Sequence, residues 1–275
     1  MMSMPWRYGV LLVAAAAGLV GAPAAAAELV FTPVGGVVET DPPPPPVGVF
    51  PVQLILDDDS VEGVLGVISG QNAQQFLWFN RFTPAEDFRL EEVWVFFAPD
   101  PNMAVGDAIQ LAIYQDLDGN PANGANLLAT FDETIQVLDG NTFSVYPLSP
   151  SVVFEGGGDL LIGVVPRFIQ SGVTPAVSPA TLDTTASQVR SWLGIWSGDV
   201  PDPPVLPPDQ LIMTVDGFLP GNWMVRGFGT RLAVIEIPTL NGFGLALLAA
   251  ALLAAGLVLA RRRVAAASTT ADRKQ

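Results

Sequence analysis

The segment from Asp116 to Gly124 carries the residues of this sequence that are best suited to chemistry. It reads Asp-Leu-Asp-Gly-Asn-Pro-Ala-Asn-Gly, so Asp116, Asp118 and Asn120 place oxygen-bearing side chains at alternate positions. Carboxylate and amide oxygens are the ligands that Ca²⁺ prefers, in sets of about six to eight. The pattern predicts a structural calcium site at Asp116, Asp118 and Asn120. The alternative is a hairpin turn, in which Asp and Asn bond only to their own backbone.

A second acidic run, Asp57 to Asp59, offers the same kind of oxygen ligand for calcium. Its alternative interpretation is a run of solvated charges. Two arginines, Arg81 and Arg226, each stand within an apolar segment among aromatic residues. Because the chain is so acidic, we expect each of them to pair with a carboxylate across a sheet rather than to bind a ligand.

Five tryptophans follow the N-terminal apolar segment, and a flat indole ring can stack on the face of a sugar. They are Trp78, Trp94, Trp192, Trp196 and Trp223. Packing in a core is the stronger expectation for a tryptophan at strand spacing. Trp196 stands beside the proline-rich stretch Pro201 to Pro208, and we expect it to be the exception that remains available to a ligand.

The residue types that are missing exclude most catalytic chemistry. Between Glu28 and Glu236 there is no His, Cys or Lys, which rules out a Ser-His-Asp triad, a cysteine nucleophile, a Cys/His zinc site and a Schiff-base lysine. The same segment holds 26 acidic side chains and six arginines, a net charge near −20 that repels nucleic acid. A glycoside hydrolase remains as the enzyme alternative, since it needs only two carboxylates, but no residue pattern marks such a pair.

The elements that must position these residues are short apolar runs separated by Gly, Asn, Asp and Pro. Several of them alternate, as in Ile109, Leu111 and Ile113. No window has a helical period, so the sequence predicts an all-β fold, a single jelly-roll-like β-sandwich over residues 56–232. Eight strands are predicted: Gln75 to Phe82, Leu90 to Phe97, Ala108 to Tyr114, Thr142 to Leu148, Leu160 to Val165, Val189 to Ile195, Leu211 to Val215 and Trp223 to Phe228.

Short sequences spread over the segment from Leu56 to Gly229 resemble the jelly-roll accessory domains of secreted bacterial proteins, which are similar to carbohydrate-binding modules. The resemblance implies a non-catalytic domain that binds a glycan. The sequences that carry it are Asp57-Asp58-Asp59 with Glu62, Asn80-Arg81-Phe82, Tyr114-Gln115-Asp116, Asp118-Gly119-Asn120-Pro121, Gly163-Val164, Arg190-Ser191-Trp192 and Asn222-Trp223-Met224-Val225-Arg226.

The N-terminus has the pattern of a signal peptide. Arg7 precedes an uncharged apolar run from Tyr8 to Val20, and small side chains from Ala24 to Ala27 predict a signal peptide over residues 1–27, cleaved before Glu28. Residues 28–55 are predicted to be a linker, because Pro42 to Pro46 form a stiff polyproline spacer.

The C-terminus has the pattern of a membrane anchor. Leu240 to Ala260 is uncharged over 21 residues and long enough to cross a bilayer as a helix. Arg261, Arg262 and Arg263 follow at once and begin a basic tail over residues 261–275. The excess of positive charge predicts a cytoplasmic tail, and therefore a β domain outside the inner membrane.

A short motif stands before this predicted span, over a connection of residues 233–239. Ile237, Pro238, Thr239 and Leu240, followed by Gly244, the apolar run and Arg261 to Arg263, resemble the IPTL-CTERM sorting signal, a relative of signals handled by exosortases. Members usually continue Ser-Glu-Trp-Gly, where this chain has Asn241 to Gly244, and twelve residues follow Arg263. The resemblance implies an exosortase-like transpeptidase as a partner, and a location in the cell envelope, at the surface or in the extracellular matrix.

Taken together, these features predict a non-catalytic exported surface or matrix protein, whose sandwich binds a glycan or another envelope component. A purely structural surface-layer protein is the second alternative, beside the glycoside hydrolase.

Overall fold

The computed structural model describes residues 11–12, 27–40, 50–206, 210–232, 246–247 and 249–257. The chain divides into two compact units, Met1–Leu232 and Ala233–Gln275. In the second unit, residues 246–247 and 249–257 are helical. Among the residues that the structure describes, no helix is long and apolar enough to cross a membrane. The predicted sorting motif, the arginines that follow the apolar run and most of the predicted signal peptide lie outside the described residues.

The described part of the first unit is built from β-strands and two short 3₁₀ turns. The strands are β1 (Leu11–Leu12), β2 (Glu28–Glu39), β3 (Val52–Leu54), β4 (Ser60–Ser69), β5 (Asn72–Ala73), β6 (Phe76–Phe82), β7 (Phe88–Val95), β8 (Ala108–Asp116), β9 (Asn126–Thr134), β10 (Ser144–Phe154), β11 (Asp159–Val165), β12 (Ala180–Asp183), β13 (Ser191–Trp196), β14 (Gln210–Thr214), β15 (Asn222–Trp223) and β16 (Val225–Arg231). The 3₁₀ turns are Pro121–Asn123 and Val215–Gly217.

These strands form three antiparallel sheets, which we call A, B and C. Sheet A has the order β1-β2-β4-β12-β15, with β5 paired to β4; sheet B has the order β10-β7-β16-β3; sheet C has the order β14-β13-β6-β11-β8-β9. Only Met224 separates β15 in sheet A from β16 in sheet B, so the chain passes directly from one sheet to the other. The predicted β-rich fold is confirmed. Seven of the eight predicted strands are present, and the eighth, Trp223 to Phe228, is divided at Met224 between β15 and β16.

The main hydrophobic core combines one face of sheet C with side chains of sheets A and B. In β8 the predicted alternation is confirmed: Ile109, Leu111 and Ile113 are all buried in this core. Leu65 of sheet A and Val93 of sheet B belong to the same cluster. Since the core joins one face of each sheet, the arrangement is consistent with a β-sandwich.

The opposite face of sheet C is also covered, by the segment that follows β13. Tyr114 points to this face, and its hydroxyl donates a 2.6 Å hydrogen bond to the carbonyl oxygen of Pro204. Arg167 donates to the carbonyl oxygens of Val200 and Pro201, the latter at 2.8 Å. These bonds hold the 196–206 segment against the sheet, where Leu206 packs into a second cluster.

One buried side chain, Asn80 of β6, connects sheet C to sheets A and B. Its amide nitrogen donates to the carbonyl oxygens of Trp223 (2.7 Å) and Val225 (2.9 Å), and its oxygen accepts from the Ser191 hydroxyl at 2.6 Å. Asn80 is fully buried, and this network satisfies its oxygen and its amide nitrogen.

The prediction of a linker over residues 28–55 is wrong at both ends, because Val52–Leu54 form β3, which pairs with β16, and the first part is also a strand. Residues 28–39 form β2, which pairs with β4, and Leu29 is buried in the main core. The apolar run Leu29 to Phe31 supplies the burial that a free spacer would lack. Gly63 on β4 leaves space for the Phe31 ring, with which a Cβ at that position would clash. The five prolines, Pro42 to Pro46, lie outside the described residues.

Candidate functional site

The antiparallel order of sheet C brings the ends of four strands together at one end of the sheet. Strands β6 and β8 finish here, while β11 and β13 begin here. Asp159 at the start of β11 is paired in register with Asp116 at the end of β8. The backbone N–H of Arg81 donates to the carbonyl oxygen of Arg190 at 2.8 Å. The polar residues at these ends therefore lie together, although up to 109 positions separate Arg81 from Arg190.

The loop from Asp116 to Gly124 folds its side chains over its own backbone. The Asp116 Oδ1 accepts the N–H of Asp118 at 3.2 Å, and the Asp118 Oδ1 accepts the N–H of Asn120 at 2.9 Å. The Asn120 Oδ1 accepts the N–H of Ala122 at 3.3 Å, which begins the 3₁₀ turn. Each of the three residues of the predicted calcium site thus makes the local bond expected of a turn.

Asp116 differs from its neighbours in burial and in charge environment. Only 1 % of its surface is exposed, and its Oδ2 has no hydrogen-bond partner among the described residues. Burial, together with the nearby negative charge of the Asp118 carboxylate, raises the pKa of Asp116 to about 6. Asp118 is exposed, and bonds from the Asn123 side chain and the Asn120 amide lower its pKa. The pKa values of these two carboxylates are therefore shifted in opposite directions.

A chain of polar contacts leads from this loop across the strand ends at the same end of sheet C. Arg81 donates to the carbonyl oxygen of Gly119, and its Nη1 lies 3.3 Å from the Asp159 Oδ2. Asp159 accepts from the Thr83 hydroxyl, which in turn accepts from Arg190 at 2.7 Å. The expected pairing of Arg81 with a carboxylate across the sheet is confirmed. Thr83 and Arg190 connect the loop to the surface beyond it.

That surface is an open groove of about 280 Å³. Its polar lining is Gln53, Thr83, Gln188 and Arg190, and its apolar lining comes from Leu54, Ile55, Leu56 and Phe82. None of these lining residues is acidic. Among the described residues, Arg190 has no carboxylate within 4.0 Å, whereas Arg81, Arg167, Arg226 and Arg231 each have at least one.

The backbone beside Arg190 is strained. Val189 has a φ of 56°, a left-handed conformation that is rare for a β-branched residue. The turn is held from both sides, since the Gln188 side chain donates to the carbonyl oxygen of Leu56 at 2.9 Å and the Gln188 N–H donates to Asn222 at 3.0 Å. A strained backbone that the surrounding bonds keep in place is common at binding sites.

The acidic run Asp57 to Asp59 is an ion-pair cluster, and the interpretation as a run of solvated charges is wrong for Asp57, whose side chain is fully buried. The Nε of Arg226 lies 3.1 Å from both oxygens of Asp57, and its Nη2 bonds to Asp57 and Asp59. The guanidinium also lies 4.3 Å from the ring centroid of Phe143. A cation already occupies the place that a metal would take, as expected for Arg226. Asp58 is bonded to Ser60 and the Thr185 hydroxyl.

The expectation that Trp196 remains available to a ligand is also wrong. It is only 6 % exposed and packs in the cluster beneath the 196–206 segment, because that segment folds back over sheet C. Trp78, Trp94 and Trp223 are buried too, as core packing predicts. Trp192 is half-buried and stacks on Phe79 with ring centroids 6.4 Å apart.

Sequence reasoning did not single out Thr83, Gln188 or Asp159. Arg190 was recognised only as part of a resemblance. Within the described residues, no group of three or more His, Cys, Asp or Glu side chains is arranged to hold a metal, and the loop at Asp116 contributes two such residues together with Asn120. Comparison of the chain with protein-family models, with curated proteins and with solved structures returned no match.

Proposed function

We propose that this chain is an exported, non-catalytic surface or matrix protein, and that its β domain binds a glycan in the groove at Arg190. The observation that carries the proposal is the lining of that groove. Its amide, hydroxyl and guanidinium groups can bond to sugar hydroxyls, and its leucines and Phe82 offer an apolar wall to a sugar ring.

The absence of acidic residues from this lining favours binding over hydrolysis. A glycoside hydrolase needs two carboxylates on either side of the bond that it cleaves. Among the described buried acids, Asp57 and Asp159 face arginines instead. The net charge near −20 of the segment from Glu28 to Glu236 opposes polyanions, so the expected ligand is a neutral polysaccharide.

The sorting part of the proposal rests on the two ends of the sequence. Export by a signal peptide over residues 1–27, a transmembrane helix over residues 240–260 and processing of the Ile237 to Leu240 motif by an exosortase-like transpeptidase together account for their patterns. The jelly-roll connectivity of the sandwich and its resemblance to carbohydrate-binding modules belong to the same proposal.

Binding is tested with immobilised neutral and acidic polysaccharides and the full-length chain in detergent. We expect retention by a neutral polysaccharide and about tenfold weaker retention of Arg190→Gln, which corresponds to about 1.4 kcal/mol. Arg89→Gln is the matched control, because Arg89 is exposed on β7, has no carboxylate within 4.0 Å among the described residues and does not line the groove. Equal retention of the two variants would contradict binding in the groove at Arg190. No retention of the wild-type chain would contradict glycan binding and leave the structural-layer alternative.

Sorting is tested with protease added to intact spheroplasts, which should digest the β domain while a cytoplasmic marker survives. Replacing Pro238 and Thr239 by alanine should leave a longer, membrane-retained form, because the motif is no longer read. Thr269→Ala in the tail is the control and should leave processing unchanged. A protected β domain would overturn the topology, and equal mature masses of wild type and the double variant would overturn processing.

A further inference from the structure

Four aspartates are buried in the described part of the β domain, and three of them have their charge or their lone pairs satisfied. Asp57 and Asp159 each face a guanidinium. Asp183 accepts from Thr185 on one oxygen and from the Asp58 amide, at 3.1 Å, on the other. Asp116 has neither arrangement. Its Oδ1 accepts two amides of its own loop and its Oδ2, fully enclosed, has no partner.

A buried carboxylate in that position is costly to the folded state. Unpaired buried charges are normally neutralised by a partner, a proton or a metal ion. The adjacent Asp118 brings a second negative charge to the same loop. The nearest guanidinium, that of Arg81, is directed to the carbonyl oxygen of Gly119 and to Asp159. The position between Asp116 and Asp118 therefore favours a second cation.

We propose that this loop binds one Ca²⁺ through the carboxylates of Asp116 and Asp118 and the side-chain oxygen of Asn120, with water completing the coordination. All three protein ligands are hard oxygens on alternate residues of one turn. Calcium accepts irregular geometry and several waters, whereas Mg²⁺ demands a near-regular octahedron at about 2.0–2.1 Å.

Calcium at this position would stabilise more than one loop. A chain of contacts joins the loop to the groove through Arg81, Asp159, Thr83 and Arg190. Because Arg81 donates to the carbonyl oxygen of Gly119, a fixed position of that carbonyl also fixes the Arg81 guanidinium beside Asp159. Calcium binding itself does not depend on what the groove binds, and the two proposals can fail separately.

The test is thermal unfolding of the full-length chain in detergent, followed by tryptophan fluorescence. Five of the six tryptophans lie between Glu28 and Leu232. For a dissociation constant of about 10⁻⁴ M, as in weaker extracellular sites, 10 mM CaCl₂ should raise the Tm by about 5–10 °C over EGTA. NaCl matches the ionic strength of the two samples, and 10 mM MgCl₂ should give a smaller shift.

Two variants and one control locate the site. Asp118→Asn should abolish the calcium shift without disturbing the fold, because Asp118 is exposed. Asp116→Asn should abolish it too. Asp139→Asn should retain it, since Asp139 caps the amides of Asn141 and Thr142 at 2.8 Å in a similar turn but is exposed. No shift beyond the NaCl-matched sample, an equal shift with magnesium, or a shift that survives in both Asp116→Asn and Asp118→Asn would overturn the proposal.

Discussion

The buried ion pair between Arg226 and Asp57 allows a prediction whose size follows from the structure. The Asp57 side chain is fully buried and that of Arg226 is 4 % exposed. In Arg226→Met, the remaining Asp57 donor is the Asp59 amide, at 3.4 Å. A buried carboxylate that loses its counter-ion destabilises a protein by about 3–5 kcal/mol. In a unit of this size that corresponds to a fall in Tm of about 6–20 °C.

A matched control separates burial from the simple loss of an arginine. Arg231 pairs with Glu86 at 2.6 Å, but the two side chains are 62 % and 48 % exposed. Arg231→Met should therefore cost at most about 1 kcal/mol. The assay is thermal unfolding of both variants, followed by tryptophan fluorescence, in the full-length chain.

A double variant tests the cause. In Asp57→Leu with Arg226→Met, no charge is left behind in the core, so most of the lost stability should return. The reasoning would be refuted if Arg226→Met were no less stable than Arg231→Met. It would also be refuted if the double variant were as unstable as Arg226→Met alone, because the stranded carboxylate would then not be the source of the loss.

Two further predictions concern buried polar groups. Asn80→Ala leaves two carbonyl oxygens and a serine hydroxyl without their partner, so it should lower the free energy of unfolding in urea by about 2–4 kcal/mol. Asn102→Ala, at an exposed site, should lower it by less than about 1 kcal/mol. Similar losses in the two variants would contradict the role of Asn80 as a buried link between the sheets. Burial raises the pKa of Tyr114 and Tyr146 above the usual 10.0, so the folded state keeps both protons, and stability is complete below pH 10 and falls as the pH rises further. In a Tyr8→Phe chain, phenolate absorbance should therefore appear only together with alkaline unfolding, and a separate earlier transition would contradict the burial.

The strands could be predicted because alternation reports which face meets a core. In β8, Ile109, Leu111 and Ile113 occupy one face, and the structure buries that face. The burial of the other face could not be predicted. It depends on the 196–206 segment, which is held by Arg167 and by the bond from Tyr114, and these contacts are distant in sequence. That is why the prediction for Trp196 was wrong.

Two of the strands that were missed, β9 and β2, have weak patterns for identifiable reasons. Strand β9, at the edge of sheet C, is mostly half-buried or exposed, so little apolar sequence is required of it. Strand β2 contains Pro33, which usually marks a loop, but the proline stands where the pairing with β4 shifts register. The adjacent proline run therefore obscured a strand whose apolar residues Leu29 and Phe31 pack against the core.

In the candidate site too, some features depend on residues close in sequence and others on residues far apart in sequence. Asp116, Asp118 and Asn120 were proposed as a site because their spacing is local, and they belong to one turn in the structure. Their environment depends on strand order. Antiparallel neighbours bring the end of β6 next to the starts of β11 and β13, and only this order places Arg81 and Asp159 beside the loop.

Because arginine is scarce, contacts between residues that are distant in sequence determine which buried carboxylates are paired. With six arginines for 26 acidic residues between Glu28 and Glu236, most carboxylates cannot have a guanidinium partner, and the fold determines which buried ones do. At this end of sheet C, Arg81 is directed to Asp159 and Arg190 to Thr83. Asp116 is left buried with one oxygen unbonded. The local sequence supplies the proposed calcium ligands, but it is the topology of sheet C that leaves them without a protein cation.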